Sequence, residues 1–420
     1  MWNLRKPAML AVAATVALAA AACGSTTPSS APAKNLGPIK IGFLYPQTGV
    51  FAAPGQYMYN GLELFLQQHH YTLAGRKIEV ITADTQGNPQ VGITQAQKLV
   101  EQDHVNLLFG PLSAAVGSAL VPFINQAKIP TIYPIVSSDN LTQRTISPYI
   151  VRTGWTSSQT TQPLGAYAYK TLGYRKVVTV GYDFSFGWES IGGFVQTFQQ
   201  NGGKVLKEIW SPLTATNYAP YLSQIPKSGI DAVMISYSGS AAINFIHQYK
   251  QFGLKYPIIA QGNTTDESTL AAEGPDAVGI ISALQYSGAL TNPNAVAFEK
   301  AYEKEFGAVP SYYSEGTYVG GMFLQAGLEK MHGNISNTAA FLKAMRTASI
   351  PNAPRGPITM DKYGNPVQNV YIRKVEMVNG QLQNTVIYTY PKVSQFWTTP
   401  PSVFLAHPVY SNTYPVPTGP

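Results

Sequence analysis

The sequence predicts an α/β chain folded as two doubly wound lobes that face each other across a central cleft. Short β-branched or aromatic runs alternate with amphipathic helical stretches from Ile39 onward, the pattern of parallel βαβ units with helices on both faces of a sheet. The alternation starts afresh after residues 148–153, so one chain holds two such series. At 420 residues, 45% hydrophobic and 12% charged, the chain has enough apolar content to build two cores.

The elements follow in order. Residues 40–44, 77–83, 105–109 and 131–133 read as strands, bounded by Gly, Pro or Asp. Between them, 55–70 places Met58, Leu62, Phe65 and Leu66 on one helical face, and 91–102 and 114–127 behave alike. The second series runs through strands 176–182, 204–210, 231–237 and 256–260, with helices over 186–201, 218–228 and 241–252. A strand at 279–284 precedes helical stretches at 295–306, 314–332 and 338–347. Two closing strands, 357–360 and 370–378, flank a turn at 361–366. Too few strands accompany the three late helices to form a third sheet, so they are expected to return to the first lobe. The stretch 392–420, rich in Pro, Tyr and Phe, is expected to pack along the second lobe or meet a partner.

The first 22 residues read as an export signal. Arg5 and Lys6 precede an apolar run, 8–22, interrupted only by Thr15, and Cys23 is the single cysteine. The run is about 15 residues, short of the roughly 20 needed to span a bilayer. Residues 23–38 then serve as a tether. With no second cysteine for a disulfide, Cys23 is either lipidated or a free thiol of a secreted chain. The pattern resembles a bacterial lipoprotein signal, although Ala20 stands where that signal usually has Leu; the resemblance implies a lipid on Cys23 and an extracytoplasmic protein held at the outer face of the membrane.

Composition and motif content argue against several function classes. The formal charge of +7 falls to +5 once Arg5 and Lys6 leave, and no basic run is interleaved with aromatics, so no nucleic-acid partner is expected. There is no Gly-x-Ser-x-Gly elbow and no Gly-x-x-x-x-Gly-Lys phosphate loop. His69 and His70 are adjacent and point about 100° apart on a helix, so they cannot share one metal. Asp183 and Glu189 have no hydrolase motif around them. No enzyme activity, cofactor or metal is expected.

The order of motifs resembles the branched-chain amino-acid type of periplasmic binding protein over nearly the whole mature chain. It is carried by Ile41-Gly42-Phe43-Leu44-Tyr45-Pro46, Gly61, Gly75-Arg76-Lys77-Ile78-Glu79-Val80, Asp84-Thr85-Gln86-Gly87-Asn88-Pro89 and Gly110-Pro111-Leu112-Ser113. Gly253-Leu254-Lys255, Pro310-Ser311 and Gly356-Pro357-Ile358-Thr359-Met360-Asp361 with Gly364-Asn365-Pro366 continue the series. The resemblance implies the type I fold of that family, with residues 39–153 and 283–363 in lobe 1 and 154–282 and 364–420 in lobe 2. It implies a solute receptor that hands a small organic molecule to the permease of an ATP-driven (ABC) importer. A ligand-sensing module of a signalling system is the alternative, though no kinase, cyclase or response-regulator segment is present to favour it.

Candidate contacts sit in loops after parallel strands, where ligands of such sheets bind. Ser113 stands at the N-cap of a helix, whose free N–H groups and partial positive charge suit a carboxylate; a plain cap is the alternative, and in another register Ala114 would offer its backbone. The resemblance places Ile135, Val136 and Ser137 against the ligand's polar end, where a Ser/Asp turn is the plainer reading. It places Phe186 against the ligand body, unless that ring belongs to the core. Ser238, Gly239 and Asn263 belong to the two later loops. The loop 261–266 lacks the acidic residue with which amino-acid receptors of this type hold an ammonium, unless Asp266 or Asp183 turns inward. A buried ammonium without a carboxylate is costly, so amides and aromatic or other organic acids stand beside amino acids as candidate ligands.

Overall fold

The computed structural model describes residues 36–419; the expected leader, Cys23 and most of the tether lie outside the described residues. The first series comprises β1 (Ile39–Tyr45), α1 (Ala52–Gln68), β2 (Thr72–Leu73), β3 (Arg76–Asp84), α2 (Pro89–Glu101), β4 (Leu107–Phe109), α3 (Ala114–Ala127), β5 (Thr131–Tyr133), α4 (Asn140–Gln143) and β6 (Ile150–Arg152). Its sheet has the order β2-β3-β1-β4-β5-β6 and is parallel apart from the short β2. Ile39, Ile41, Phe43 and Leu44 of β1 are all fully buried. Covered on both faces, a parallel strand reads as a nearly continuous apolar run. The chain moves from β1 to β3 on one side and then to β4 on the other, so the strand order reverses between β1 and β4.

The second series comprises α5 (Ser157–Lys170), β7 (Lys176–Tyr182), α6 (Ser185–Gln200), β8 (Lys204–Ser211), α7 (Ala219–Leu222), β9 (Ala232–Ser236), α8 (Ser240–Gln251), β10 (Ile258–Gln261), a 3₁₀ turn at Gly262–Thr265, α9 (Glu267–Glu273) and β11 (Ile281–Leu284). There follow α10 (Pro293–Phe306), α11 (Tyr312–Lys330), α12 (Thr338–Arg346), β12 (Thr359–Met360), β13 (Pro366–Val378), β14 (Gln381–Val393) and α13 (Pro401–Ala406). The second sheet runs β12-β13-β11-β10-β9-β7-β8, with β14 paired to β13. Its order reverses between β7 and β9. Helix α11 packs along α1, where Thr317 Oγ1 donates to the Met58 carbonyl at 2.8 Å, and α12 packs on β6. The late helices thus lie with the first sheet, while Ala283 and Leu284 of β11 still pair within the second.

Three stretches differ from the expectation, and a fourth follows one of its alternatives. The helix expected over 218–228 is the single turn α7, because Pro226 has no N–H to donate and disfavours helical backbone at the residue before it. The expected strand 370–378 is one arm of a long hairpin. Asn379 and Gly380 turn it with φ of 51° and 81°, the paired left-handed conformation of a tight β-turn, and β14 returns alongside. Helix α5 was not expected, because the buried side chains of its first half are polar: Ser157, Ser158, Gln159, Thr160 and Thr161 are fully buried, and the apolar Leu164, Tyr167 and Ala168 occur only in its second half. Gln159 Nε2 donates to the carbonyls of Pro366 (2.8 Å) and Val393 (2.9 Å), and Gln162 Nε2 to that of Gln395 (3.0 Å). The C-terminal stretch buries Phe396, Phe404 and Tyr410 together. Asn412 Nδ2 donates to Asp183 (3.0 Å) and the Val205 amide to Thr418 Oγ1 (3.0 Å), so the stretch runs along α6 and β8.

Candidate ligand-binding site

A small cleft lies between the loops at the carboxyl ends of both sheets, with about 300 Å³ not occupied by protein atoms, part of it open to solvent. Phe51 follows β1, Leu112, Ser113 and Ala114 follow β4, and Ile135 and Ser137 follow β5. Facing them, Phe184 and Phe186 follow β7, Ser238 follows β9 and Asn263 follows β10, while Tyr312 opens α11, which packs with the first sheet. The cavity therefore spans the point in each sheet where strand order reverses, the place where neighbouring helices diverge and leave their N-termini open.

Seven of the expected contacts, Ser113, Ala114, Ile135, Ser137, Phe186, Ser238 and Asn263, come together on this one cavity. Val136 and Gly239 do not line it. Val136 is fully buried under α3, where a Cβ on Gly117 would come within 2.4 Å of it. Gly239 instead meets the opposite lobe: its φ is 61° and a Cβ there would lie 2.2 Å from the Val50 carbonyl oxygen. Phe51, Leu112, Phe184 and Tyr312 also line the cavity although the sequence did not single them out. Phe184 was within the loop that drew attention to Phe186; Tyr312 carries no local signal, being far along the chain from the other lining residues.

Ser113 has the extended backbone of an N-cap, φ −67° and ψ 131°, yet its hydroxyl caps nothing. Its Oγ is buried and has no hydrogen-bond partner, beside the first N–H groups of α3, which no helix satisfies internally. Ser137 Oγ accepts from Ser157 Oγ at 2.9 Å, and the Ser157 amide donates to the Ser137 carbonyl at 2.8 Å. This ties the β5 loop to the start of α5. On the other side Asn263 Nδ2 donates to the hydroxyls of Tyr312 (2.6 Å) and Tyr313 (3.4 Å), while Asn263 Oδ1 is buried without a partner. Burial holds both tyrosine hydroxyls well above the usual tyrosine range, so they stay neutral. Trp155 stands edge-on to Phe186 (6.5 Å) and Tyr312 (6.0 Å) and braces both.

No Asp, Glu, Lys, Arg or His is among the lining residues. Asp266 caps α9, accepting from the Ser268 amide (2.9 Å) and the Tyr312 amide (3.3 Å), and burial pushes its carboxyl up to about 7. Asp183 accepts from Trp188 Nε1 (2.9 Å) and from Asn412. Neither lines the cavity. Among the described residues no group of three or more His, Cys, Asp or Glu is placed to hold a metal ion. No helix among them is long and apolar enough to cross a membrane.

Two doubly wound lobes closing on a small cavity define a solute-binding protein. Residues 38–381 match the family of periplasmic binding proteins. The chain is 29% identical to Leu/Ile/Val-binding protein homolog 6 of Brucella melitensis, over 84% of this chain and 92% of that one. A solute-binding protein of an ABC transporter from R. palustris, solved with benzoate, superposes with a TM-score of 0.81 at 29% identity, covering 85% of this chain and 98% of that one. One from Rhodopseudomonas palustris BisB5, solved with 3,4-dihydroxybenzoic acid, gives 0.80 at 33% identity with the same coverage. The chain belongs to the periplasmic binding protein family, with its type I fold. It is accordingly an extracytoplasmic receptor that captures a small organic solute for an importer, and not an enzyme.

Proposed function

We propose that this protein binds a small aromatic carboxylic acid between its lobes and delivers it to the permease of an ABC importer. The observation that carries the reading is the cavity wall. Four aromatic rings, Phe51, Phe184, Phe186 and Tyr312, share it with neutral polar groups and no charged side chain. An amino acid would bury an ammonium with no carboxylate on the wall, at a cost of several kcal/mol. A carboxylate is better served, by the free Ser113 hydroxyl and the N-terminus of α3, while the rings pack on an aromatic body. The benzoate and dihydroxybenzoate bound by the two R. palustris proteins support the same chemistry.

Capture is a closure of two bodies that turn about crossings near Thr153, Ala283 and Tyr363. The receptor is held at the outer face of the membrane by lipid on Cys23. Cys23→Ser releases it into the soluble fraction with ligand affinity unchanged; a variant that still partitions into detergent overturns the anchor.

Thermal melting with benzoate and with leucine tests the ligand class. A ligand at 100 times its dissociation constant adds about 2.7 kcal/mol. Benzoate raises the melting temperature and leucine leaves it in place; the reverse result overturns the reading.

A further inference from the structure

The polar groups on the cavity wall are not distributed evenly between the two lobes. The first carries the Ser113 hydroxyl without a partner, the Ser137 hydroxyl, which shares a hydrogen bond with Ser157 Oγ, and the first N–H groups of α3. The second lobe adds the Ser238 hydroxyl and one acceptor that no donor reaches. Asn263 lies in the 3₁₀ turn after β10 and is 4% exposed. Its amide nitrogen is engaged by Tyr312 and Tyr313 and its backbone N–H donates to Gln261 Oε1 at 2.7 Å, which holds the side chain in place. Its Oδ1 is left buried with nothing to accept from.

A buried acceptor without a donor is destabilising, and a site that carries one favours the ligand that supplies the missing proton. We infer that Asn263 is a specificity-determining residue that accepts a hydrogen bond from a ring hydroxyl, so that the preferred ligand is a hydroxylated aromatic acid rather than the bare one. The inference rests on the aromatic-acid reading above. The carboxylate lies on the donors of the first lobe and the hydroxyl reaches across to the second, so one molecule engages both lobes. An ammonium is a poorer donor for this place, since the neutral amide oxygen cannot balance a buried charge.

Sites built to bind a substrate hydroxyl discriminate strongly against analogues lacking it, because their own polar group is then stranded. Titration calorimetry with benzoate, 3-hydroxybenzoate, 4-hydroxybenzoate and 4-fluorobenzoate tests this on the unaltered protein. Fluorine occupies nearly the volume of a hydroxyl but donates nothing. One of the hydroxylated acids binds at least tenfold more tightly than benzoate and 4-fluorobenzoate, and in Asn263→Leu that ratio collapses toward one. Equal affinities across the four acids, or a ratio that survives in Asn263→Leu, overturn the role of Asn263 while leaving the aromatic-acid reading standing. Binding of none of the four overturns both.

Discussion

The backbone N–H of Ser240 donates to the carbonyl oxygen of Val50 across 3.2 Å. Val50 belongs to the loop after β1 and Ser240 opens α8 after β9, so this bond joins loops of the two sheets over the cavity rim. Gly239 makes the approach possible. With φ 61° and ψ −147° it holds a conformation that costs other residues about 1 to 3 kcal/mol, and a Cβ would strike the Val50 carbonyl.

Gly239→Ala therefore opposes closure itself. Its affinity for the ligand falls at least tenfold. Small-angle scattering shows its radius of gyration remaining at the ligand-free value at a ligand concentration that compacts the unaltered protein. An alanine variant that closes normally shows that the Val50 contact is incidental.

Ser113→Ala separates capping from ligand binding. Because the Ser113 hydroxyl caps nothing, the change leaves unfolding free energy within about 0.5 kcal/mol but weakens binding by about 1 to 3 kcal/mol through loss of a donor to a charged acceptor. Asn88→Ala is the converse. Asn88 Oδ1 accepts from the amides of Gln90 (2.9 Å) and Val91 (3.2 Å) at the start of α2, so that variant loses about 1 kcal/mol of stability with affinity unchanged. Calorimetry and urea unfolding of both variants check the pair.

Gln159→Leu tests the polar packing of α5. The substitution strands the buried Val393 carbonyl and removes the acceptor that Asn365 Nδ2 uses at 3.2 Å. Urea unfolding gives a loss of about 2 kcal/mol or more; a neutral result means the polar core of α5 adds nothing over an apolar one.

Glu208 makes stability depend on pH in an unusual direction. Burial alone pushes its carboxyl from 4.5 up to about 8, and its Oε1 has no partner. The folded state then holds the proton to higher pH than the unfolded state does, so this group's contribution falls as pH rises from about 4.5 to about 8. Glu208→Gln keeps the neutral shape. The stability of the variant relative to the parent rises across that window, and melting curves from pH 4 to pH 9 measure it; parallel curves refute the assignment.

Much of the architecture was legible in the sequence because parallel strands covered on both faces are nearly continuous apolar runs, as in β1 and β9, and because amphipathic helices such as α1 show their period. The loops that bear Ser113, Ser137, Phe186 and Asn263 were legible for a topological reason, each standing just past a strand of such a sheet, while the choice of Ser137 and Phe186 within them came from the family resemblance. The buried polar first half of α5 was not legible, since Gln159 and Gln162 are satisfied by carbonyls more than 200 residues away. Nor was the hairpin β13–β14, although Asn379-Gly380 is a hairpin signal that the sequence does carry.

By itself, then, the sequence determined the alternation of elements, their two series and the loops that bear the candidate contacts, all set by local pattern and chain order. Tertiary structure alone decided which side chains of those loops face inward. Val136 and Ser137 are neighbours, yet one packs under α3 and the other reaches the cavity. It also brought Tyr312 beside Asn263, left the Asn263 oxygen without a donor and carried both aspartates away from the wall. Those outcomes depend on the packing of distant segments against each other, and such packing leaves no periodicity in any single stretch of chain.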